Sequence, residues 1–389
     1  MFWYFPTNYV WNLALNISMQ MGAEISEIEA MCRPLVDVSE RGDDEGTRQF
    51  LERWEHQANN LVAQAQADKE KGRSLSAANK LKRAANYYIT AERLQASSDT
   101  DRIKTYRKMR AAFDEAMVLG QENCVRVEIP YQGSVISGLY TRAQGVDGKS
   151  PVLVHVNGLD STKEILYLCN SAQQLARKGV ASLCIDQPGT GEALRYHGLK
   201  ARYDSEVWAG AVIDWLEQQP DVDPSRIGCW GVSLGGYFCP RAVAMEPRFA
   251  LGCVAGSNHN WYEVQVRRQR REGDRPVPHY WEHVRWVWGG DDTDAFMEIA
   301  KRVQLNGVLQ KIKVPFLVTH GRNDRQIPLE YAHQTFEQLT DSPKKELVIF
   351  DEYTGGREHA ACDNMRYCND LISDWVSETF EELKQGQWR

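Results

Sequence analysis

Arg226-Ile-Gly-Cys-Trp-Gly-Val-Ser-Leu-Gly-Gly-Tyr237 is the stretch on which the chain turns. Residues 227–230 form a short apolar run that reads as a buried strand. Gly231-Val-Ser-Leu-Gly235 follows, a G-x-S-x-G pattern, and then a helix-like run to Met245. Strand, tight turn and helix in that order are the setting in which this pattern lifts a serine clear of a sheet edge, as a nucleophile elbow. The reason is steric. The turn forces the serine into a strained backbone conformation, so the residues two before and two after it must lack side chains. Ser233 then stands near the positive end of the next helix. By chance the bare pattern turns up in roughly one chain in ten of this length. The flanking elements are what favour the catalytic reading over a plain structural turn.

Working outward, the sequence from Cys124 onward alternates between two periods. Val125, Val127 and Ile129 alternate with polar residues, as do Val135, Ser137, Leu139 and Thr141, giving two strands joined near Gln132-Gly133. Apolar runs at 151–156, 181–185, 250–255, 314–319 and 346–350 read as further strands. Helical patterns lie between them: from Thr162, over 206–218, from Leu234, over 329–339 and over 365–383. Such alternation predicts an α/β domain over 123–389, with a mainly parallel sheet covered by helices on both faces. Residues 256–310 interrupt it with Trp261, Tyr262, Tyr280, Trp281, Trp286 and Trp288. This segment is expected to be a cap insertion over the C-terminal edge of the sheet, where open parallel sheets bind ligands.

Residues 1–122 read as a separate helical domain. Phe50, Leu51, Trp54, Leu61 and Val62 space one helix over 47–71. Ser74 is expected to cap a second, carrying Leu81, Ala84, Tyr87, Tyr88 and Leu94, and a third runs from Asp99 to Gly120. A helical repeat array is the competing reading, but no fixed period appears. Trp3, Tyr4, Trp11, Trp54, Tyr87 and Tyr88 read as exposed aromatics in need of a partner surface, at a pocket wall or in a dimer.

Bulk properties exclude several classes. The 389 residues are 42% hydrophobic and 25% charged, as in a soluble globular protein, and the net charge of −7 argues against a nucleic-acid partner. No run of about 18 apolar residues exists, so no membrane span is expected. The aromatic first 21 residues lack a basic start, are interrupted by Pro6 and Asn8, and have no A-x-A site. They read as a segment packed on the body or on a dimer partner rather than as an export signal. Nine cysteines show no C-x-x-C pair, and Cys184, Cys229 and Cys253 lie in strand-like runs. That usage fits a reducing, cytoplasmic setting.

A serine hydroxyl is a poor nucleophile at neutral pH; it needs a base, and the base needs an orienting carboxylate. On this kind of sheet the chain order is serine, acid, histidine. Asp324 follows the strand at 314–319 in His320-Gly-Arg-Asn-Asp324. His359 follows the strand at 346–350 in Glu352-Tyr-Thr-Gly-Gly-Arg-Glu-His359. The competing roles are a loop-capping aspartate and a surface histidine. An oxyanion also needs donors. The candidates are the backbone N–H groups of Leu234, after the nucleophile, and of Leu159, in Asn157-Gly-Leu-Asp-Ser-Thr-Lys163. There Gly158 lets the backbone turn inward. Asp160 and Lys163 are candidate substrate contacts, weighed against turn and helix-capping roles.

Other features carry less. Asp186-Gln-Pro-Gly-Thr-Gly191 lacks the phosphate-loop lysine and reads as a structural loop. His279 and His283 stand four apart on an expected helix, but no H-E-x-x-H pattern or third ligand accompanies them, so neither metal nor cofactor is expected. Arg267, Arg268, Arg270 and Arg271 read as a solvated helix face. Cys362, Asp363 and Asn364 have no assigned role.

Taken together, Asn157-Gly-Leu-Asp-Ser-Thr-Lys-Glu164, Asp186-Gln-Pro-Gly-Thr-Gly-Glu192, Gly231-Val-Ser-Leu-Gly-Gly236, Gly321-Arg-Asn-Asp324 and Gly355-Gly-Arg-Glu-His359 resemble the α/β-hydrolase superfamily. More closely, the chain resembles the branch of dihydroxypseudooxynicotine hydrolase and the fungal pigment hydrolases that shorten a polyketide. Arg83-Ala-Ala-Asn-Tyr-Tyr88 extends the resemblance into the helical segment. The resemblance implies a homodimeric serine hydrolase acting on a carbon–carbon bond beside a ketone, in an aromatic or polyketide-like small molecule. It also implies an acidic pocket residue after the sixth strand, for which Glu263 is the nearest match, with Asn258 and His259 close by. Substrate contacts are thus expected from Gly158, Asp160, His259, Trp261 and Glu263. The alternatives are a carboxylesterase, lactonase or thioesterase with the same triad, and a binding protein on this scaffold, whose mark would be a broken triad.

Overall fold

The computed structural model describes residues 1–40, 44–169, 171–271 and 279–388. Its strands are β1 (Val125–Tyr131), β2 (Ser134–Thr141), β3 (Ser150–Val156), β4 (Ala181–Ile185), β5 (Val222–Val232), β6 (Phe249–Ala255), β7 (Phe316–Gly321) and β8 (Lys345–Phe350). They form one sheet in the order β1-β2-β4-β3-β5-β6-β7-β8. The β1–β2 and β2–β4 pairs are antiparallel and the rest are parallel. This bears out the expected sheet. The hairpin turns at Gln132 and Gly133, both with positive φ (47° and 74°), the backbone that two-residue hairpin loops need.

Both faces of the central strands are covered, which is why they read as continuous apolar runs: every residue of β3 and β4 is buried. Helices Ser171–Arg177, Glu206–Glu217, Gly235–Met245, Glu330–Gln338 and Met365–Lys384 supply the crossovers. On one face Leu153, Trp230, Leu251 and Leu317 pack in one cluster with Ile372, Trp375, Val376 and Phe380 of the last helix. Cys184, Cys229 and Cys253 lie buried in β4, β5 and β6, as small hydrophobes.

The chain forms two compact units, Met1–Asn123 with Arg271–Trp286, and Cys124–Arg270 with Val287–Arg389. The first contains helices Tyr9–Gln20, Ile25–Cys32, Asp44–Glu70, Ser74–Glu92 and Thr100–Leu119. Asp99 caps the last of these through Asp101 N–H. Ser74 is not a cap; it is the first helical residue, after Arg73. The aromatic expectation is corrected too. Phe5, Trp11, Phe50, Trp54 and Tyr87 contact one another in series, with centroids 5.0–5.7 Å apart. Trp11, Trp54, Tyr87 and Tyr88 are therefore buried in the unit's own core, while Phe2 and Trp3 remain exposed.

The aromatic segment at 256–310 is divided between the units rather than forming one cap. Helices Trp261–Arg271 and Thr293–Ala300 fall in the second unit but for Arg271, whereas residues 271–286 count with the first. Within the first unit, Thr47 Oγ1 lies 3.2 Å from His279 Nε2, Ser97 Oγ donates to Glu282 at 2.6 Å, and the Arg102 guanidinium sits 4.6 Å from the Trp286 ring centre. His279 has φ 60° and precedes helix Tyr280–Trp288 rather than lying within it with His283. No helix among the described residues is long and apolar enough to cross a membrane.

Candidate active site

Ser233 sits in the turn between β5 and helix Gly235–Met245 with φ 60°, a left-handed conformation that costs a non-glycine residue about 1–2 kcal/mol. The turn is tight enough to demand its glycines. A Cβ on Gly231 would lie 2.0 Å from Gly235 O. The loop after β3 presses against the serine: a Cβ on Gly158 would lie 2.9 Å from Ser233 Cβ and 3.2 Å from its Oγ. Ser233 N–H donates to Ala255 O at 2.9 Å, anchoring the turn to the end of β6.

Ser233 Oγ is 2.8 Å from His359 Nε2, and His359 Nδ1 is 2.8 and 3.0 Å from the two oxygens of Asp324. A carboxylate only accepts, so Nδ1 carries the proton and Nε2 is left to accept from the serine. The Asp324 side chain is buried, and its Oδ1 also accepts the N–H groups of Gln326 (2.7 Å) and Ile327 (2.9 Å). Burial pushes its pKa up. The His359 charge and hydrogen bond, with His320 and the Ile327 N–H, outweigh burial and hold the carboxyl below its ordinary value.

The other expected contacts are held less directly. Asp160 lies half-buried on the loop beside Ser233. Lys163 is not at the surface of this loop; it is fully buried among carboxylates. Glu263 is exposed and accepts from Tyr331 Oη (2.9 Å) and Asn260 Nδ2 (3.2 Å). His259 is buried, with Thr335 Oγ1 at 3.1 Å and Asn306 Oδ1 at 2.9 Å from its ring nitrogens, and burial lowers its pKa. Both are thus tied to helix Glu330–Gln338. Trp261 is a packing ring, stacked on Trp288 (5.1 Å) and edge-on to Phe296 (5.6 Å). Arg268 departs from the solvated face by donating to Gln326 Oε1 at 2.8 Å, whereas Arg267 and Arg270 are exposed; the side chain of Arg271 lies outside the described residues.

Residues 45–261 match the family described as Esterase FrsA-like, and residues 168–382 match the prolyl oligopeptidase family. Hydrolase LUC6 of a Fusarium species is 30% identical, over 96% of this chain and 96% of its own. The chain belongs to the α/β-hydrolase superfamily. It is similar, at 29% identity, to 20-hydroxy-prefusarin hydrolase FUS2 of Gibberella moniliformis, over 92% of this chain and 93% of the relative. Among solved structures, the 2,6-dihydroxy-pseudo-oxynicotine hydrolase shares its fold with a TM-score of 0.75 at 22% identity, covering 94% of this chain and 95% of that one. AbyA5 does so at 0.67 and 17%, covering 95% and 99%. The chain is a hydrolase, and its relatives bear out the resemblance read from its motifs.

Two residues of this α/β-hydrolase escaped the sequence reading. His320, buried at the end of β7, accepts Ser257 N–H on Nδ1 (3.1 Å) and so donates from Nε2 to Ile327 O (3.1 Å). It ties the end of β6 to the loop that presents Asp324, and burial lowers its pKa. Its position four residues before Asp324, at a strand's end, was the available signal. Asp363 accepts the N–H groups of Glu358 (2.9 Å) and Arg357 (3.3 Å), bracing the turn that carries His359. There Ala360 and Ala361 both adopt positive φ, 50° and 57°, a strain that persists only where the surroundings hold it.

Proposed function

We propose that this α/β-hydrolase is a serine hydrolase that cleaves a carbon–carbon bond beside a ketone in an aryl ketone or polyketide-like molecule. The observation that carries the serine-hydrolase part is the continuous hydrogen-bonded path from Ser233 Oγ through His359 to Asp324; the carbon–carbon part rests on the likeness to the relatives. Ser233 Oγ attacks the ketone carbon while His359 Nε2 takes its proton. The N–H groups of Leu234 and Leu159 donate to the oxygen on which negative charge develops. The adduct collapses by expelling carbon, which leaves only if its electron pair is delocalised, as in an enolate or a hydroxylated ring. Protonated His359 returns the proton to that carbon. Water, with His359 again as base, then cleaves the acyl-serine and releases a carboxylic acid. Asp160 on the loop and Glu263 beside Tyr331 are the polar groups assigned to the substrate.

The relatives' names support a hydroxylated organic substrate, since one is named for 20-hydroxy-prefusarin and a fold neighbour for 2,6-dihydroxy-pseudo-oxynicotine. Ester hydrolysis is the second reading, favoured by the match of residues 45–261 to an esterase family. The test compares kcat/KM across acylated polyhydroxyaromatic ketones with p-nitrophenyl acetate and butyrate. Preference for the ketones supports carbon–carbon cleavage; fast ester turnover with no ketone cleavage moves the assignment to an esterase. The proposal includes a homodimer, with exposed Phe2 and Trp3 as apolar contact surface. Light scattering tests this, and a monomer at all concentrations would remove it.

A further inference from the structure

We propose that Gln187 and Asp186, which follow β4, are positioning residues that set the backbone of the loop carrying the Leu159 oxyanion donor. The inference deepens the serine-hydrolase reading and rests on it. Residues 157–162 connect β3 to helix Lys163–Leu168 without forming strand or helix of their own. The loop is held at its two ends, and both clamps come from the same short segment, 185–192.

The first clamp is amide to backbone. Gln187 Oε1 accepts Asn157 N–H at 3.2 Å, and Gln187 Nε2 donates to Asn157 O at 2.9 Å. The Asn157 side chain donates to Ile185 O at 2.6 Å. Asn157 and Gln187 are fully buried. Asn157 stands two residues before Leu159, and its carbonyl borders the elbow: a Cβ on Gly235 would lie 3.1 Å from it.

The second clamp is ionic. Asp186 Oδ1 accepts Lys163 N–H at 2.7 Å, and Oδ2 accepts from Lys163 Nζ and from Glu192 N–H, both at 2.9 Å. Lys163 Nζ also donates to Glu164 (2.6 Å) and Glu192 (2.5 Å). Glu192 is paired in turn with Arg126 and accepts from Ser137 Oγ. Lys163, Glu164, Asp186 and Glu192 are all buried. The three carboxylates lie close enough together to hold a cation, and the lysine ammonium fills that role. Burial pulls Lys163 toward neutrality, but Asp186, Glu164 and Glu192 outweigh it and keep the group charged. Gly191 is needed for this packing, since a Cβ there would fall 2.0 Å from the Asp186 carboxyl.

Such a frame matters because an oxyanion donor works only where the charge develops, and a shift of about 1 Å costs roughly 100-fold. Fixed at Asn157 and at Lys163, the loop has little freedom between. Gln187 and Asp186 touch no reacting atom; they act through the backbone they hold.

The test is Gln187→Met, which keeps length and removes both amide bonds, compared with wild type and with Ser233→Ala. A fluorophosphonate probe is used because its phosphoryl oxygen must enter the oxyanion site as Ser233 attacks. The rate constant of labelling and the final number of labelled chains are read separately. The inference expects the rate constant to fall about 10- to 100-fold with final labelling still near one per chain. With p-nitrophenyl acetate it expects kcat to fall while KM stays within about threefold. A merely structural role would reduce the final labelling and leave the rate constant of the surviving molecules unchanged, and that result overturns the inference. If Gln187→Met is poorly folded, the rate constant still reports on its labelled fraction. Gln187→Glu, which keeps the acceptor for Asn157 N–H, should also slow labelling; wild-type rates in both variants refute the proposal. Labelling that persists in Ser233→Ala instead sinks the serine assignment itself, so the two failures are distinguishable.

Discussion

Replacing Asp324 by asparagine changes one oxygen to an amide nitrogen, and the hydrogen bonds around it dictate where that nitrogen goes. Oδ1 accepts the N–H groups of Gln326 and Ile327, so the amide oxygen must occupy that site. The NH2 group then faces His359 Nδ1, where Oδ2 was at 2.8 Å. A donor there forces Nδ1 to accept and moves the ring proton to Nε2, which can no longer take the proton of Ser233 Oγ. The expected loss in kcat is about 10⁴-fold, or about 5.4 kcal/mol in barrier. Because both loop bonds survive, stability near neutral pH should fall far less than in Asp324→Ala. That variant strands the N–H groups of half-buried Gln326 and buried Ile327, at up to about 1–3 kcal/mol each. Urea titration and p-nitrophenyl acetate kinetics on both variants separate the two effects. The acid limb is a second readout. The folded pKa of Asp324 is held below its unfolded value, so its contribution is present above about pH 4 and lost as pH falls through the folded pKa. Asp324→Asn should therefore show a shallower loss of stability below about pH 4 than wild type. An Asp324→Asn enzyme that keeps a tenth or more of wild-type kcat would refute the tautomer argument.

Ser233→Ala and His359→Ala should each lower kcat about 10⁴-fold or more with the circular dichroism spectrum unchanged, and only Ser233→Ala must abolish fluorophosphonate labelling. Gly158→Ala should lower kcat at least tenfold, because the added Cβ would meet Ser233 Cβ at 2.9 Å; wild-type kcat in this variant would mean that the loop yields freely. Asp363→Ala should lower the melting temperature and kcat together, since the N–H groups of Arg357 and Glu358 lose their acceptor beside His359. Unchanged values of both would show that the turn holds itself.

What was legible in the sequence follows from how local each constraint is. The elbow is a steric problem solved within a few residues, so G-x-S-x-G between a strand and a helix announces it. The strand–helix alternation is likewise local, and the observed sheet matches it, with β5 extending back to Val222 beyond the apolar run at 227–230. The aromatic residues of the helical unit show the opposite case. Their helical spacing says that one face is buried but not against what. Trp11 meets Phe50, and Trp54 meets Tyr87, across tens of residues of chain, which turned an apparent demand for a partner into a closed core.

The supports of the site were the least legible part, for a physical reason. Burying a lysine goes against composition-based expectation, because the desolvation cost is several kcal/mol unless partners are close. Those partners, Glu164, Asp186 and Glu192, come from the start of one helix, the end of a strand and the start of another helix. Only the parallel register of β3 with β4, His155 beside Cys184 and Val156 beside Ile185, brings the residues after the two strands together. Once that register is fixed, the Gln187 amide reaches the Asn157 backbone and Lys163 reaches Asp186. The glycine-rich loop then stands as the frame of its neighbour rather than as a ligand cradle. The same dependence applies at the other side of the serine. His320 becomes a tie only because β7 lies beside β6, so that Ser257 N–H reaches its ring. Motif reading finds groups that must be special where they stand; sheet register determines which ordinary-looking residues hold them there.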